Sequence, residues 1–231
     1  LFKKNYRLPI FLAITIGMFN QLSGINAILY YSNYIFAAAG FSALSGSLQT
    51  VLIGAMNLLA TLLGMSLIDK LGRKTLLLVG SVGTALCLSG VAVVFFTNTH
   101  QGALVWLLVG YIAFFATSQG AVIWVYISEV FPTRVRAKGQ SLGSSSHWIM
   151  NAIISLLFPI LAKGQRIAPT AHGWLNGAIH AVNPLLAKTS PGVPFVFFAA
   201  MMALQFFVVL FLYPETKGIT LEQLQRKLGI H

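Results

Sequence analysis

The chain has 231 residues, 57% of them hydrophobic and 8% charged, with a mean hydropathy of +0.80; ordinary soluble domains carry about 25% charged residues, and so much apolar surface would aggregate in water. A net charge of +11 raises nucleic acid as a partner, but the basic residues stand in short clusters between apolar runs. That is the pattern of a polytopic membrane protein in a lipid bilayer, with no nucleic acid implied. The single cysteine, Cys87, excludes an intrachain disulfide and a cysteine-based metal cluster.

The chain begins at Leu1, and its charged start (Lys3, Lys4, Arg7) runs into a long apolar span with no small-residue cleavage site. This reads as part of something larger or as a truncated reading frame. The first span, 8–36, is dense in polar residues: Asn20, Gln21, Ser23, Asn26, Tyr30, Tyr31 and Ser32. Asn26 and Tyr30 are four apart and share a helix face, and Gly24 between the amides is a natural hinge. Such residues either bond neighbouring helices, at about 0.6–2 kcal/mol each, or line a ligand path. The density favours a ligand site.

A second span, 47–68, carries Asn57. The segment Asp69-Lys70-Leu71-Gly72-Arg73-Lys74 turns tightly into a third span, 76–97, which has no charged residue. The fourth span, 104–127, holds Thr117, Ser118, Gln119, Gly120 and Trp124. Helices interrupted at corresponding positions of two three-helix repeats mark a transporter site near the midplane. Spans one and four hold those positions, with Gly24 and Gly120 as hinges. Trp124 reads as a ligand contact or as an interfacial belt residue.

The fifth span, 141–162, carries His147, Trp148 and Asn151, with His147 and Asn151 on one face. His147 is either a hydrogen-bonded neutral group or a proton relay. An insert at about 163–192 contains an apolar stretch, Gly173–Ala187, that suits an interfacial helix and includes His172 and His180, with no metal site implied. The sixth span, 193–213, is rich in phenylalanine; Phe197, Phe198, Phe206 and Phe207 are read as lipid-facing. A tail, 214–231, follows with a short helix.

Six spans place twelve basic residues on one face (Lys3, Lys4, Arg7, Lys70, Arg73, Lys74, Arg134, Arg136, Lys138, Lys217, Arg226, Lys227) and three (Lys163, Arg166, Lys188) on the other. The rich face is expected to be cytoplasmic and to hold both termini, in a plasma membrane or a bacterial inner membrane. All four acids, Asp69, Glu129, Glu215 and Glu222, fall on it beside the bases. Amides, hydroxyls and indoles converge inside the membrane without a buried carboxylate or lysine. That chemistry suits a neutral polyol, because amides both donate to and accept from hydroxyls. No acid–base or nucleophile constellation stands in the membrane, so an enzyme is not expected, and no motif asks for a cofactor or metal.

Four segments together resemble the sugar porter family of the major facilitator superfamily: Gln21-Leu22-Ser23-Gly24-Ile25-Asn26 with Tyr30-Tyr31; Asp69 to Lys74; Trp124 with Ser128-Glu129-Val130-Phe131-Pro132, Arg134, Arg136 and Gly139; and Pro214-Glu215-Thr216-Lys217-Gly218. The resemblance covers nearly the whole chain. It implies an all-α membrane protein, the C-terminal six-helix half-bundle of a twelve-helix fold, with the N-terminal half as its partner. It implies sugar contacts from Gln21, Asn26, Asn57, Trp124, Trp148 and Asn151. Asn20 and His147 stand at contact positions where the family more often has amides such as glutamine. It implies an outer gate of Tyr30 and Tyr31, and a cytoplasmic latch of Asp69, Arg73, Lys74, Glu129, Arg134, Arg136 and Glu215. The function implied is monosaccharide transport by alternating access, as uniporter or proton symporter. The other readings are a non-transporting fragment, a half-unit that needs a partner, and a sugar sensor.

Overall fold

A computed structural model describes residues 4–163 and 190–229. Most of the 163–192 insert therefore lies outside the described residues. Helices α1 (Arg7–Leu22), α2 (Ile25–Tyr30) and α3 (Ser32–Ala38) build one broken column. They are followed by α4 (Ala43–Leu71), α5 (Arg73–Thr97), α6 (Ala103–Phe115), a π-helical turn (Ala116–Gly120), α7 (Ala121–Glu129), α8 (Arg136–Lys163), α9 (Val193–Leu212) and α10 (Leu221–Lys227). Six stretches are long and apolar enough to cross a membrane: Arg7–Tyr30, Gly46–Leu71, Arg73–Thr97, Ala103–Glu129, Arg136–Ala162 and Val193–Leu212. Among the described residues there is no strand.

Local chemistry sets the breaks. Gly24 has φ +84°, a left-handed backbone that ends α1 and starts α2. The carbonyl groups freed there are recovered inside the protein, as membrane depth requires. Ser23 Oγ donates to the Asn20 carbonyl at 2.6 Å, and the Tyr111 hydroxyl donates to the Ser23 carbonyl at 3.0 Å. Between α4 and α5 the whole connection is Gly72, at φ +91°. Tail helix α10 opens with a capping box between Thr220 and Gln223.

The interior is two apolar cores separated by a polar layer. At the basic end, Leu12, Ala13, Ile16, Leu76, Leu77, Tyr126, Phe131, Val209 and Tyr213 pack with Leu224 of the tail. At the opposite end, Ile28, Ile35, Phe36, Leu88, Leu108, Phe158, Phe195 and Met202 form the second core. Nearly every buried polar side chain of the bundle stands between these cores: Asn20, Gln21, Ser23, Ser81, Thr84, Ser118, Gln119, His147, Asn151 and Gln205. Helices α1, α5, α8 and α9 each contribute to it, so the layer is a property of the packed bundle.

Outside, α4 exposes Leu48, Val51, Leu58, Leu59, Leu62 and Met65, and α9 exposes Phe197, Phe207 and Phe211. Phe198, expected to face lipid, is 2% exposed. It stacks on Phe158 at 6.3 Å and fills the space above Gly24, where a Cβ would lie 2.4 Å from its ring. The break in the first column thus provides the socket for this ring.

Candidate functional site

A cleft of about 270 Å³ opens at the level of the polar layer. The broken column contributes Asn20, Gln21, Ile25, Asn26 and Leu29 to its wall. α4 contributes Asn57 and Thr61, the fourth span Phe115, Gly120, Ile123 and Trp124, and α8 His147 and Trp148. Seven of the eight residues expected to bind substrate therefore share one cavity. The exception is Asn151, buried one turn away, where its Oδ1 accepts from Ser155 Oγ at 3.1 Å. Thr61 went unassigned from sequence, although it stands four residues after Asn57 and so on the same face. Its hydroxyl donates to the Asn57 carbonyl at 2.7 Å.

Gln21 is the hub. Its Nε2 donates to Asn20 Oδ1 at 3.2 Å and meets His147 Nε2 at 3.0 Å. Its Oε1 accepts from Asn26 Nδ2 at 3.1 Å. With 1% of its surface exposed and both amide hydrogens engaged, Gln21 orients the other amides rather than offering itself. His147 contacts the indoles of both Trp124 and Trp148, each with its ring centroid 5.1 Å away. Both indoles are exposed toward open space. The cleft thus presents two aromatic faces beside a row of amides and carries no charged side chain in its lining.

The fourth span differs from expectation. Gly120, expected as a hinge, has ordinary helical angles, φ −59° and ψ −44°. The irregularity is the π turn that ends at it. Thr117 and Ser118, polar residues of the same span, bond back to the Ala113 and Phe114 carbonyls at 2.7 and 2.6 Å. Gln119 is buried behind the wall with its Nε2 on Met202 Sδ at 3.2 Å. Packing explains this. The π turn sinks onto α5, where a Cβ on Gly80 would lie 1.8 Å from Ser118 Oγ, and onto α4, where one on Gly64 would lie 2.7 Å from the Thr117 carbonyl. Small residues let helix backbones approach this closely in a membrane.

The gate residues part company. Tyr31 stacks on Phe158 at 5.3 Å and donates to the Ser155 carbonyl at 3.2 Å, which ties the broken column to α8. Tyr30 is 60% exposed and takes no part in that tie.

At the basic end, Asp69 and Glu129 of the expected latch converge on Arg73. Its guanidinium holds Glu129 through Nε at 3.2 Å and Nη2 at 2.8 Å. Through Nη1 it holds Asp69 Oδ1 at 2.8 Å and the Ile68 carbonyl at 3.2 Å. This fork needs the planar geometry of arginine. Thr216 Oγ1 also donates to Glu129, at 2.6 Å. Lys74 Nζ donates to the Leu210 carbonyl at 2.8 Å, Lys217 Nζ to the Lys70 carbonyl, and Arg136 Nε to the Phe131 carbonyl at 3.4 Å. Arg134, expected in the latch, is exposed and joins no ion pair within the described residues. It sits exposed in the turn before α8.

Glu215 takes a different part: it caps α5. Its carboxylate accepts from the backbone N–H groups of Arg73 at 3.0 Å and Lys74 at 3.1 Å. It also accepts from Thr216 and Lys217, at 2.9 and 3.0 Å. The Arg73 and Lys74 N–H groups are donors that a helix start leaves unpaired, and the helix dipole favours the negative charge there. Burial by itself raises the Glu215 carboxyl, but the four N–H donors outweigh it and hold the group below the ordinary carboxyl range. The folded value is depressed, so the cap is complete above the ordinary carboxyl range and is lost as the pH falls through the folded value. Exchange of the Arg73 and Lys74 amides is therefore expected to gain an acid-dependent opening that Glu215→Gln lacks; identical pH profiles for the two proteins would remove this role.

A bundle of six candidate membrane spans, with an uncharged polar cleft between two apolar cores and an ion-pair cluster at one end, is a multi-pass membrane bundle of the major facilitator fold. The chain belongs to the family described as "Sugar (and other) transporter", which matches residues 1–228, a family of transporters and not of enzymes. It is 31% identical to the D-xylose-proton symporter of Escherichia coli strain K12 over 94% of this chain and 40% of that protein. It is 30% identical to the arabinose-proton symporter of Bacillus subtilis over 98% of this chain and 44% of that one. The facilitated trehalose transporter Tret1 of Drosophila erecta is 32% identical over 99% of this chain and 24% of its own length. The chain thus spans less than half the length of these relatives. Among solved structures, a double-tryptophan mutant of XylE superposes with a TM-score of 0.81 at 30% identity, over 96% of this chain and 43% of that one. XylE bound to 6-bromo-6-deoxy-D-glucose superposes with a TM-score of 0.77 at 30% identity, over 95% and 42%.

Proposed function

We propose that this chain is the C-terminal half of a twelve-helix carrier that moves a monosaccharide across the plasma membrane, or a bacterial inner membrane, by alternating access. The observation that carries this reading is the cleft: two indoles and a linked row of amides, with no charge, walled on one side only. Indole faces pack against the C–H face of a sugar ring, and amides match its hydroxyls in both directions. The missing wall belongs to the N-terminal six-helix half, and the sugar binds between the halves near the midplane. The basic end is cytoplasmic, with both termini there. Its Arg73 cluster with Asp69, Glu129 and the Glu215 cap holds that end together while the carrier faces outward. Tyr31, with Tyr30 at the rim, belongs to the outer gate. The sugar shifts the balance of states only through its different affinity for each. Transport is uniport or proton symport, the relatives' names including proton symporters and a facilitated transporter; in a symporter the coupling proton would be bound in the other half.

The test is radiolabelled hexose and pentose uptake into vesicles, with this chain alone and co-expressed with the N-terminal half of a sugar porter. Uptake is expected only in the second case. Trp124→Ala, which removes one aromatic face, should weaken sugar binding by at least about tenfold while the protein still inserts. An unchanged sugar affinity would detach Trp124 from the site. Correct insertion of both halves with no sugar bound would overturn the carrier reading, and binding without uptake would point to a sensor.

A further inference from the structure

The sugar-facing amides are not independent of one another, and the link between them ends on a titratable ring. We infer that His147 is a positioning residue which sets, through Gln21, the end of the Asn26 amide that faces the cleft, so that protonating His147 inverts the hydrogen-bonding polarity of the cleft wall. The consequence for substrate rests on the proposed sugar site; the relay itself rests on geometry.

In the arrangement observed, Gln21 Nε2 lies 3.0 Å from His147 Nε2 and 3.4 Å from Nδ1, and whichever ring nitrogen it bonds is the acceptor, because an amide NH2 can only donate. Gln21 then directs Oε1 at Asn26 Nδ2, 3.1 Å away, which leaves the Asn26 carbonyl available to a ligand donor. An imidazolium has N–H at both ring nitrogens and accepts nothing. Gln21 is 1% exposed, so it cannot turn to water. Its remaining course is a half-turn of the amide that presents Oε1 to the ring. Nε2 then faces Asn26, which must meet it with Oδ1 and send its NH2 into the cleft. Asn20, whose Oδ1 accepts from Gln21 Nε2 at 3.2 Å, must invert as well. One proton thus replaces an acceptor by a donor at Asn26 and a donor by an acceptor at Asn20, with no backbone movement.

The surroundings make the ring the controlling element. The titratable groups on the elements packed against His147 are Arg7 on α1, Tyr30 on α2, Tyr126 and Glu129 on α7, and Arg136, Lys138 and Lys163 on α8 itself. None lines the cleft, and no carboxylate there competes with Gln21 for the ring. Trp124 and Trp148, each 5.1 Å from it by ring centroid, are within the roughly 6 Å at which an indole face attracts a cation. They therefore report the protonation directly.

The experiment uses the full chain in nanodiscs, with Trp106 and Trp174 replaced by phenylalanine so that emission comes from Trp124 and Trp148. Between about pH 8 and pH 4, a range that brackets the ordinary imidazole titration, emission is expected to fall through a single transition. His147→Gln, which keeps an amide in place of the ring, should abolish that transition. The Asn26 side-chain NH2 resonance, identified by its loss in Asn26→Asp, should move through the same midpoint. Gln21→Met should retain the fluorescence transition and abolish the movement of the resonance, because it severs the relay without touching the ring. Emission independent of pH, a transition that survives His147→Gln, or an Asn26 resonance that stays still while emission falls would each overturn the relay. Neither readout needs sugar or the other half, so failure of the transport reading and failure of the relay are separate results.

Discussion

Replacing Arg73 with alanine is expected to lower the stability of the bundle by about 3 kcal/mol, the typical cost of removing one partner from a shielded ion pair. Arg73 is the right residue to probe because so little else neutralises what it holds. Its side chain is 10% exposed and that of Glu129 27%, so the Glu129 carboxylate would lose two donors and keep only the Thr216 hydroxyl. Asp69 contributes little to the effect: its side chain is 81% exposed, and surface pairs are worth about 0–1 kcal/mol. Two further variants separate charge from geometry. Arg73→Lys restores the charge without the fork, so it should recover only part of the loss. Adding Glu129→Gln to Arg73→Ala removes the stranded carboxylate and should restore stability toward that of Glu129→Gln alone, a coupling that a double-mutant cycle measures. Denaturant unfolding in detergent reads all four proteins. Arg73→Lys indistinguishable from the parent would mean that only charge matters at this position.

Gly80→Leu is expected to destabilise the bundle by about 3 kcal/mol or more, the upper range for overpacking. The first added carbon alone would lie 1.8 Å from Ser118 Oγ and 2.3 Å from its Cβ. Ser118 cannot swing aside cheaply, because its hydroxyl is held by the Phe114 carbonyl at 2.6 Å. The π turn must move instead, and Trp124 follows within a turn of it, so sugar binding should suffer together with stability. Gly54→Leu is the matched control: no atom lies within 4 Å of its added carbon, and it should be neutral. The pair Gly80→Ala with Ser118→Gly should recover much of what Gly80→Ala alone loses. Equal unfolding profiles for Gly80→Leu and Gly54→Leu would show that α5 and the π turn do not need this close approach.

Hydropathy, the alternation of basic clusters and local motifs were enough to read six spans, a polar path at mid-depth and the residues of most of the cleft wall. Each of these is written in short-range order: a span is a run of about 20 apolar residues, and Asn20, Gln21 and Asn26 are conspicuous in one because membrane depth penalises amides. The Thr220–Gln223 cap was legible for the same reason, since both partners lie within one turn.

What the tertiary structure alone decided is where contacts cross between helices. Spacing placed Asn151 on the His147 face, but only packing shows it one turn off the cleft on Ser155. Composition made Phe198 a lipid-facing residue, yet the hole above Gly24 draws it inside. Gly120 marked the fourth span from sequence, but the π turn that ends at it is made possible by Gly80 and Gly64 on other helices. Glu215 could be paired with a base from its sequence neighbourhood, whereas its actual partners are the first amides of α5, 141 and 142 residues earlier. The physical reason is common to all four. A helix presents a face from its own sequence, but what that face meets depends on the rotation and depth of its neighbours, and no local pattern encodes those.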